Sequence, residues 1–299
     1  MDNFKNVLIV YFSGTGGTKR IADTFEDLLI KKGCTIIKHS LEISEYKKNK
    51  DKYKEILDDI DLVIMLYAVY AMDAPMPVYD WINNLPIVSN KPLAVISVSG
   101  GGEVWPNTSC RAQCIKEAEK HGFNVFYENM MVMPSNIAVS GSDHANMWLL
   151  KKIPEKSKTI INDILNMERR RTRLKISSRI LYFLSKLEQK HAKDFAKTLK
   201  IQETCSGCGW CARNCPRENI EMANGKPGFK DKCIVCLRCV YGCPSKSLYS
   251  NNKWIILKEG YNLDDIEKRM QGIELEPIEK CCKGLVWSGV RKYLLNKDK

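Results

Sequence analysis

The sequence predicts an α/β fold: a doubly wound, five-stranded parallel sheet over residues 1–165, followed by a small α+β domain built around cysteines. Three observations carry this. Five short apolar runs alternate with amphipathic stretches through the first half, the strand–helix–strand rhythm of a parallel sheet covered on both faces. A loop of glycines and hydroxyls follows the first run. Eight of the 13 cysteines fall between Cys205 and Cys243, in two copies of one motif.

Val7 to Phe12 is a continuous apolar run, as expected of a strand buried on both faces. Ile21, Ala22, Phe25, Leu28 and Leu29 then recur at helical spacing, and Lys31-Lys32-Gly33 closes that helix with basic residues and a glycine. Thr35-Ile36-Ile37 begins a second strand; Leu62–Tyr67, Leu93–Val98 and Val125–Met133 supply the third, fourth and fifth. In an open sheet of this kind a ligand binds outside the carboxyl ends of the strands.

Length and composition bound the rest. With 299 residues, 44% apolar and 27% charged, the chain reads as a globular protein of two domains. The longest nearly uninterrupted apolar run, Leu62 to Met72, is too short to cross a bilayer. Met1-Asp2-Asn3-Phe4-Lys5 shows no signal-peptide pattern, so a cytoplasmic location is expected. Collagen-like and disordered compositions are excluded. The composition leaves the oligomeric state open.

Three loops leave the carboxyl ends of the strands. The first is Ser13-Gly14-Thr15-Gly16-Gly17-Thr18. Its glycines let the backbone approach an anion, its N–H groups and the next helix's N-terminus favour negative charge, and three hydroxyls add donors. It is neither a Walker loop nor G-x-G-x-x-G; a glycine-rich turn with capping threonines is the competing reading. The second loop, Ala68-Val69-Tyr70-Ala71 onward, offers an aromatic ring and small residues. The third, Ser99-Gly100-Gly101-Gly102-Glu103-Val104-Trp105, frees the backbone to meet a flat ring edge. Tyr70 and Trp105 are the candidates to stack on such a ring, against ordinary core or rim packing.

Taken together, the strand, the Phe12-to-Thr18 loop, the helix and the loops after strands three and four resemble flavodoxins over residues 4–165. That family holds FMN with its phosphate in the first loop and its isoalloxazine between the other two. The resemblance therefore implies FMN contacts from Ser13, Gly14, Thr15, Gly16, Gly17 and Thr18, from Ala68, Val69, Tyr70 and Ala71, and from Ser99, Gly100, Gly101, Gly102 and Trp105. Many members carry Asn where this chain has Gly17, which removes one side-chain contact and leaves the backbone cradle. Met133-Pro134-Ser135-Asn136 also resembles flavodoxin-like relatives fused to iron–sulfur modules.

The second half holds Cys205-x2-Cys208-x2-Cys211-x3-Cys215-Pro216 and, 28 residues later at every cysteine, Cys233-x2-Cys236-x2-Cys239-x3-Cys243-Pro244. Ile201 and Phe229 precede the first cysteine of each copy by four residues, and Ile220 and Leu248 follow the fourth by five, so a whole strand–loop–helix unit is duplicated. The run resembles bacterial two-cluster ferredoxins, in which the fourth cysteine serves the other cluster. That resemblance assigns Cys205, Cys208, Cys211 and Cys243 to one [4Fe–4S] cluster, and Cys233, Cys236, Cys239 and Cys215 to a second. A three-thiolate loop wraps one part of a cube and the fourth ligand must come from elsewhere, which the duplication supplies; the prolines stop the loop from continuing as helix. Zinc sites lack the three-residue spacer and proline, and a disulfide framework does not suit a chain without a secretion signal.

Five cysteines remain. Cys110 and Cys114 share a helix face, as a thiol pair or as small core residues; vicinal Cys281 and Cys282 lack a nearby ligand pair; Cys34 reads as core. The four histidines show no ligand spacing.

The net charge of +12 is concentrated. Residues 1–165 are net −1, whereas residues 166–200 hold 11 basic and 3 acidic side chains. Arg169-Arg170-Arg171-Thr172-Arg173 opens this basic linker, and Arg179, Lys186, Lys190, Lys193, Lys197 and Lys200 share one helical face beside Ile180, Leu184, Leu187, Phe195 and Leu199. The readings are a solvated face, a docking surface over residues 169–200 for an acidic redox partner, or an anionic membrane surface. Nucleic acid is disfavoured because stacking platforms are missing. The tail, residues 253–299, reads as strand-like Trp254–Leu257, a polar helix near Leu263–Met270 and a final apolar segment from Trp287 to Leu295, a packing extension.

The whole chain resembles flavodoxin–ferredoxin fusion proteins of anaerobic bacteria. This implies electron transfer between FMN, two [4Fe–4S] clusters and a separate redox protein, the carriers being held at high effective concentration on one chain. An FMN-dependent reductase of a small molecule, fed by the clusters, is the alternative, with Cys110, Cys114, Tyr70 and Glu103 as conceivable proton donors. A flavodoxin-like domain that only docks a partner is a third.

Overall fold

The computed structural model describes residues 4–42, 50–137, 139–172, 192–251 and 255–296. In the first half, β1 (Asn6–Phe12), β2 (Thr35–Ser40), β3 (Leu62–Ala68), β4 (Lys91–Ser99) and β5 (Phe123–Val132) form one sheet in the order β2-β1-β3-β4-β5. Every pairing in it is parallel. This is the doubly wound, flavodoxin-like order, with its switch point between β1 and β3.

Alternation along β1 divides the core. Val7, Ile9 and Tyr11 face one apolar layer, while Leu8, Val10 and Phe12 face the other. The first layer is closed by α1 (Gly17–Lys31) and α5 (Asp143–Leu165), through Ile21, Phe25, Leu29, Leu150, Ile153 and Ile161. The second is closed by α2 (Lys50–Asp59), α3 (Met76–Asn84) and α4 (Ala112–Lys120), through Leu57, Val78, Trp81, Ile82, Ile115 and Ala118. Cys34, Cys110 and Cys114 are buried.

The outer edge of β5 is covered by the start of the basic segment. Arg170 pairs with it as a single bridge: its N–H donates to the Phe126 carbonyl (3.1 Å) and its carbonyl accepts from the Glu128 N–H (2.9 Å). Its side chain and that of Arg171 turn inward to Glu103, Glu119 and Glu128. Arg170 and Arg171 are therefore paired with carboxylates of the fold. Arg173, Arg179, Lys186 and Lys190, with Ile180, Leu184 and Leu187, lie outside the described residues. A helix over 192–198, here α6, buries Phe195 and Ala196 and leaves Lys193 and Lys197 exposed.

The second half contains two antiparallel pairs, β6 (Leu199–Ile201) with β9 (Leu248–Ser250) and β7 (Ile220–Ala223) with β8 (Lys226–Phe229). Single-turn helices α7 (Trp210–Arg213) and α8 (Arg238–Tyr241) carry the third cysteine of each copy, Cys211 and Cys239, at the same place, as the duplication predicts. The expected strand at Trp254–Leu257 is not formed: residues 255–257 are turn and coil, held by the Leu257 N–H donating to the Tyr241 hydroxyl (2.9 Å), and Trp254 lies outside the described residues. The tail then packs back on the first half. α9 (Leu263–Arg269) places Leu263 and Ile266 in the α1/α5 layer, and α10 (Ile278–Cys281) and α11 (Ser288–Leu294) join Val132, Ala145 and Leu149. Among the described residues no helix is long and apolar enough to cross a membrane.

Candidate functional site

The carboxyl ends of β1, β3, β4 and β5 surround an open cleft. Its floor is the first loop. Gly16 caps α1 in the left-handed region (φ 96°), a conformation that glycine adopts without a Cβ penalty, and so turns the chain from strand into helix. The Ser13 hydroxyl accepts from the Gly16 N–H (3.1 Å), and Thr15 Oγ1 accepts from Asn136 Nδ2 (2.9 Å). At the helix start the Thr18 hydroxyl is buried with no hydrogen-bond partner. A buried orphan hydroxyl is costly unless a ligand satisfies it. A loop of backbone N–H groups at a helix N-terminus with such a hydroxyl fits a phosphate monoester. A Cβ on Gly17 would meet only the Met133 side chain, at 3.6 Å, so the cradle keeps its shape without the asparagine found in flavodoxins.

The walls come from several places. Ala68, Val69 and Tyr70 line one side, and Val98, Ser99 and Gly100 another. Met133 to Ile137 and Tyr261 close the third. The strap from Pro134 to Asn136 is tied down twice, by the Tyr261 hydroxyl donating to the Pro134 carbonyl (2.9 Å) and the Tyr241 hydroxyl donating to the Asn136 carbonyl (2.8 Å). Part of the third loop does other work. A Cβ on Gly102 would come within 2.6 Å of the Gly289 backbone, and one on Gly289 would overlap the Gly101 carbonyl, so this glycine run lets α11 lie directly on the loop. Trp105 is 64% exposed, and Trp105, Ala71, Gly101 and Gly102 lie off the cavity wall. Docking of α11 turns that end of the loop away from the ring position.

An ion cluster fixes the third loop. Arg111 is fully buried; its Nε donates to Glu128 Oε2 (2.7 Å), its Nη1 to Ser97 Oγ (2.8 Å) and its Nη2 to Glu103 and Thr172. Burial acts against the Glu103 carboxylate, but Arg111 and Arg170 outweigh it and hold Glu103 below the usual carboxylate range. Glu103 is thus a fixed anion and a poor proton donor. Burial raises the thiols of Cys110 and Cys114.

The duplicated cysteines gather into two sets. Cys205, Cys208, Cys211 and Cys243 line one cavity, of about 310 Å³. Cys215, Cys233, Cys236 and Cys239 line a second, of about 420 Å³. Each set takes three cysteines from one copy and the fourth from the other. All eight are free thiols. Among the described residues no three His, Cys, Asp or Glu side chains converge closely enough to hold one metal ion. Four thiols that do not converge on one point suit a cube with one iron at each corner better than a single tetrahedral zinc. Burial pushes the Cys236 thiol up to about 12 and raises Cys233 and Cys239. Cys243 moves the other way: burial opposes ionisation, but hydrogen bonds from the Ser247 and Ser245 region outweigh it.

The two halves meet at the phosphate loop. A Cβ on Gly14 would overlap the Tyr70 hydroxyl and stand 2.7 Å from the Cys236 carbonyl. Arg238 Nε donates to the Gly14 carbonyl (3.2 Å), and its Nη2 pairs with Glu42, whose Oε1 accepts from the Ser13 N–H (2.8 Å). Burial is the largest influence on Glu42 and raises its carboxyl in spite of Arg238. Sequence reasoning did not single out Glu42, Arg111, Arg238, Tyr261 or Gly289. Only Glu42, just past the end of the second strand, carried a positional signal; the others depend on contacts far along the chain.

No family model matches the sequence, and no curated protein matches it. Solved structures similar to the first half include a flavodoxin from the domain Archaea (14% identity, 53% of this chain and 98% of that one, TM-score 0.35). A flavodoxin of Streptococcus pneumonia TIGR4 shows 17% identity over 54% of this chain and 98% of its own, TM-score 0.39. The general stress protein 14 of Treponema denticola, in complex with FMN, shows 8% identity over 54% and 98%, TM-score 0.40.

Proposed function

We propose that this protein is an electron carrier that binds FMN in the first half and two [4Fe–4S] clusters in the second, exchanging electrons with a separate redox protein. The observation that carries the proposal is the pair of crossed four-thiol cavities standing beside a phosphate-binding loop on a flavodoxin-like sheet. FMN would lie over Ser13–Thr18 with its ring toward Val69, Tyr70, Ser99 and Gly100; when bound, it supplies a centre that takes two electrons and releases them singly. The chain's own residues do the positioning. Thr18 and the loop N–H groups hold the phosphate, and the strap at Pro134–Asn136, tied by Tyr241 and Tyr261, keeps water from one side of the cavity. Backbone N–H groups of Asn219, Val235 and Ser247 donate to Cys215, Cys233 and Cys243 sulfurs at 3.3–3.4 Å, the kind of contact that tunes cluster potentials.

A carrier needs no proton donor for a substrate, and the conceivable donors are poor ones: Glu103 is held in its ion pairs, Cys110 and Cys114 lie in the core, and burial raises the Tyr70 hydroxyl, on the cavity wall, well above the usual phenol range. This favours the carrier over the reductase. We extend the proposal to an acidic partner, for which exposed Lys193, Lys197 and Lys200 are the described part of the basic face; coupling that weakens with salt supports it. Anaerobic purification followed by iron, acid-labile sulfide and flavin analysis tests the whole. Roughly eight irons and one FMN per chain are expected; about four irons, or zinc in their place, would overturn the two-cluster reading.

A further inference from the structure

The two thiol sets are not equivalent in how they meet the first half. The set of Cys215, Cys233, Cys236 and Cys239 is fastened to it at three points. Cys236 is buried against the core layer of α2, α3 and α4 with its carbonyl against Gly14. Arg238, one residue before Cys239, holds both Glu42 and the Gly14 carbonyl. Arg217, two residues after Cys215, pairs with Asp80 of α3. The cavity of Cys205, Cys208, Cys211 and Cys243 is lined wholly by residues of the second half, and Cys208 is exposed.

We propose that the set Cys215/Cys233/Cys236/Cys239 is the flavin-facing one, joined to the phosphate loop through the Cys236–Gly14 backbone contact, and that the set Cys205/Cys208/Cys211/Cys243 faces the outside carrier. The assignment rests on the reading that both sets hold clusters and the loop holds FMN. Electron tunnelling falls off steeply with distance, so the set whose backbone touches the Gly14 loop defines the internal junction and the set with the exposed Cys208 defines the exit. Each transfer along this line is one electron: the inner centre is oxidised as the outer is reduced, and a one-electron protein carrier reoxidises the outer. The same order in reverse serves the opposite direction. Tyr70 sits at the junction, its hydroxyl buried without a hydrogen-bond partner between Gly14 and Cys236.

A potential shift reads this out without any turnover. Full-length protein, loaded with clusters and stripped of flavin, is titrated with FMN while the midpoint of each reduced cluster is followed by electron paramagnetic resonance. Cys208→Ala leaves the inner set complete; Cys236→Ala leaves the outer set complete, and Cys239→Ala repeats that test without altering the Gly14 contact. In Cys208→Ala the phosphate's negative charge at Gly14 makes the cluster harder to reduce, by about tenfold in the equilibrium, which is about 59 mV for one electron. In Cys236→Ala and Cys239→Ala the midpoint stays where it was. A shift that is absent, equal in both kinds of variant, or larger where the outer set survives overturns the assignment. Failure of the wild-type chain to hold iron or FMN overturns the underlying relay instead, and iron and flavin analysis of the same samples separates the two.

Discussion

Cys208 and Cys236 hold the same place in two copies of one motif, yet Cys208 is exposed and Cys236 is only 9% exposed. The backbones around them match closely. Gly207 and Val235 have φ 69° and 55°, Gly209 and Leu237 have 70° and 58°, and Glu218 and Lys246 both have 50°. Each pair is 28 residues apart. At the first two of these positions the outer copy has glycine, the residue suited to them, and the inner copy has valine and leucine, at a cost of about 1–2 kcal/mol each. Leu237 offsets this by burial with Val240, Phe195 and Leu248. Where the outer copy has Trp210, the inner copy has Arg238, which reaches Glu42 across the junction. The loop geometry is therefore held constant by the repeat, while surrounding side chains adapt one copy to solvent and the other to the first half of the chain.

The sharpest way to break this comparison is chemical. In reduced, cluster-free protein an alkylating agent should modify Cys208 at least tenfold faster than Cys236, as read by peptide mass mapping; equal rates would mean that the junction is open in solution. Next in size, Arg238→Ala leaves the buried Glu42 carboxylate without its cation and should cost about 3–5 kcal/mol in denaturant unfolding, with weaker FMN binding because Ser13 loses its fixed acceptor. Gly14→Ala should cost about 1–3 kcal/mol by overpacking against Tyr70 and Cys236, and FMN affinity by fluorescence quenching should fall with it. The smallest effect belongs to Val235→Gly. Relief of left-handed strain, about 1–2 kcal/mol, outweighs glycine's entropy cost of about 0.5–1 kcal/mol, so stability should rise by no more than about 1.5 kcal/mol. The reverse change in the outer copy, Gly207→Val, should destabilise, because its Cβ would also stand 2.7 Å from the Gly225 carbonyl.

Much of the first half was legible because its physics is local. The apolar runs at Val7, Leu62 and Leu93 are too uniform to be anything but strands buried on both faces, and all five strands stand in the predicted order. The turn from β1 into α1 was legible for the same reason: adjacent residues from Ser13 to Thr18 make it. The ring site was less so. Gly101 and Gly102 looked like a ring edge, but glycine permits close approach by any backbone, and here the approaching backbone is Gly289 of α11. Trp105 looked like a stacking residue and stands in solvent. The arginines at 170 and 171 looked like free charge, until β5 supplied Glu128 and the adjoining loop and helix supplied Glu103 and Glu119.

By itself the sequence determined the sheet, the anion loop, and the grouping of eight cysteines by a 28-residue repeat, since each follows from spacing along a short stretch of chain. Only the tertiary structure decided which thiol set meets the Ser13–Thr18 loop, which glycines serve the cavity, and which charges are already paired. Those outcomes turn on contacts such as Arg238 with Glu42, Arg217 with Asp80 and Gly289 with Gly102, between residues separated by more than a hundred positions. No local pattern encodes such a contact, because its energy exists only after the chain has brought both partners together.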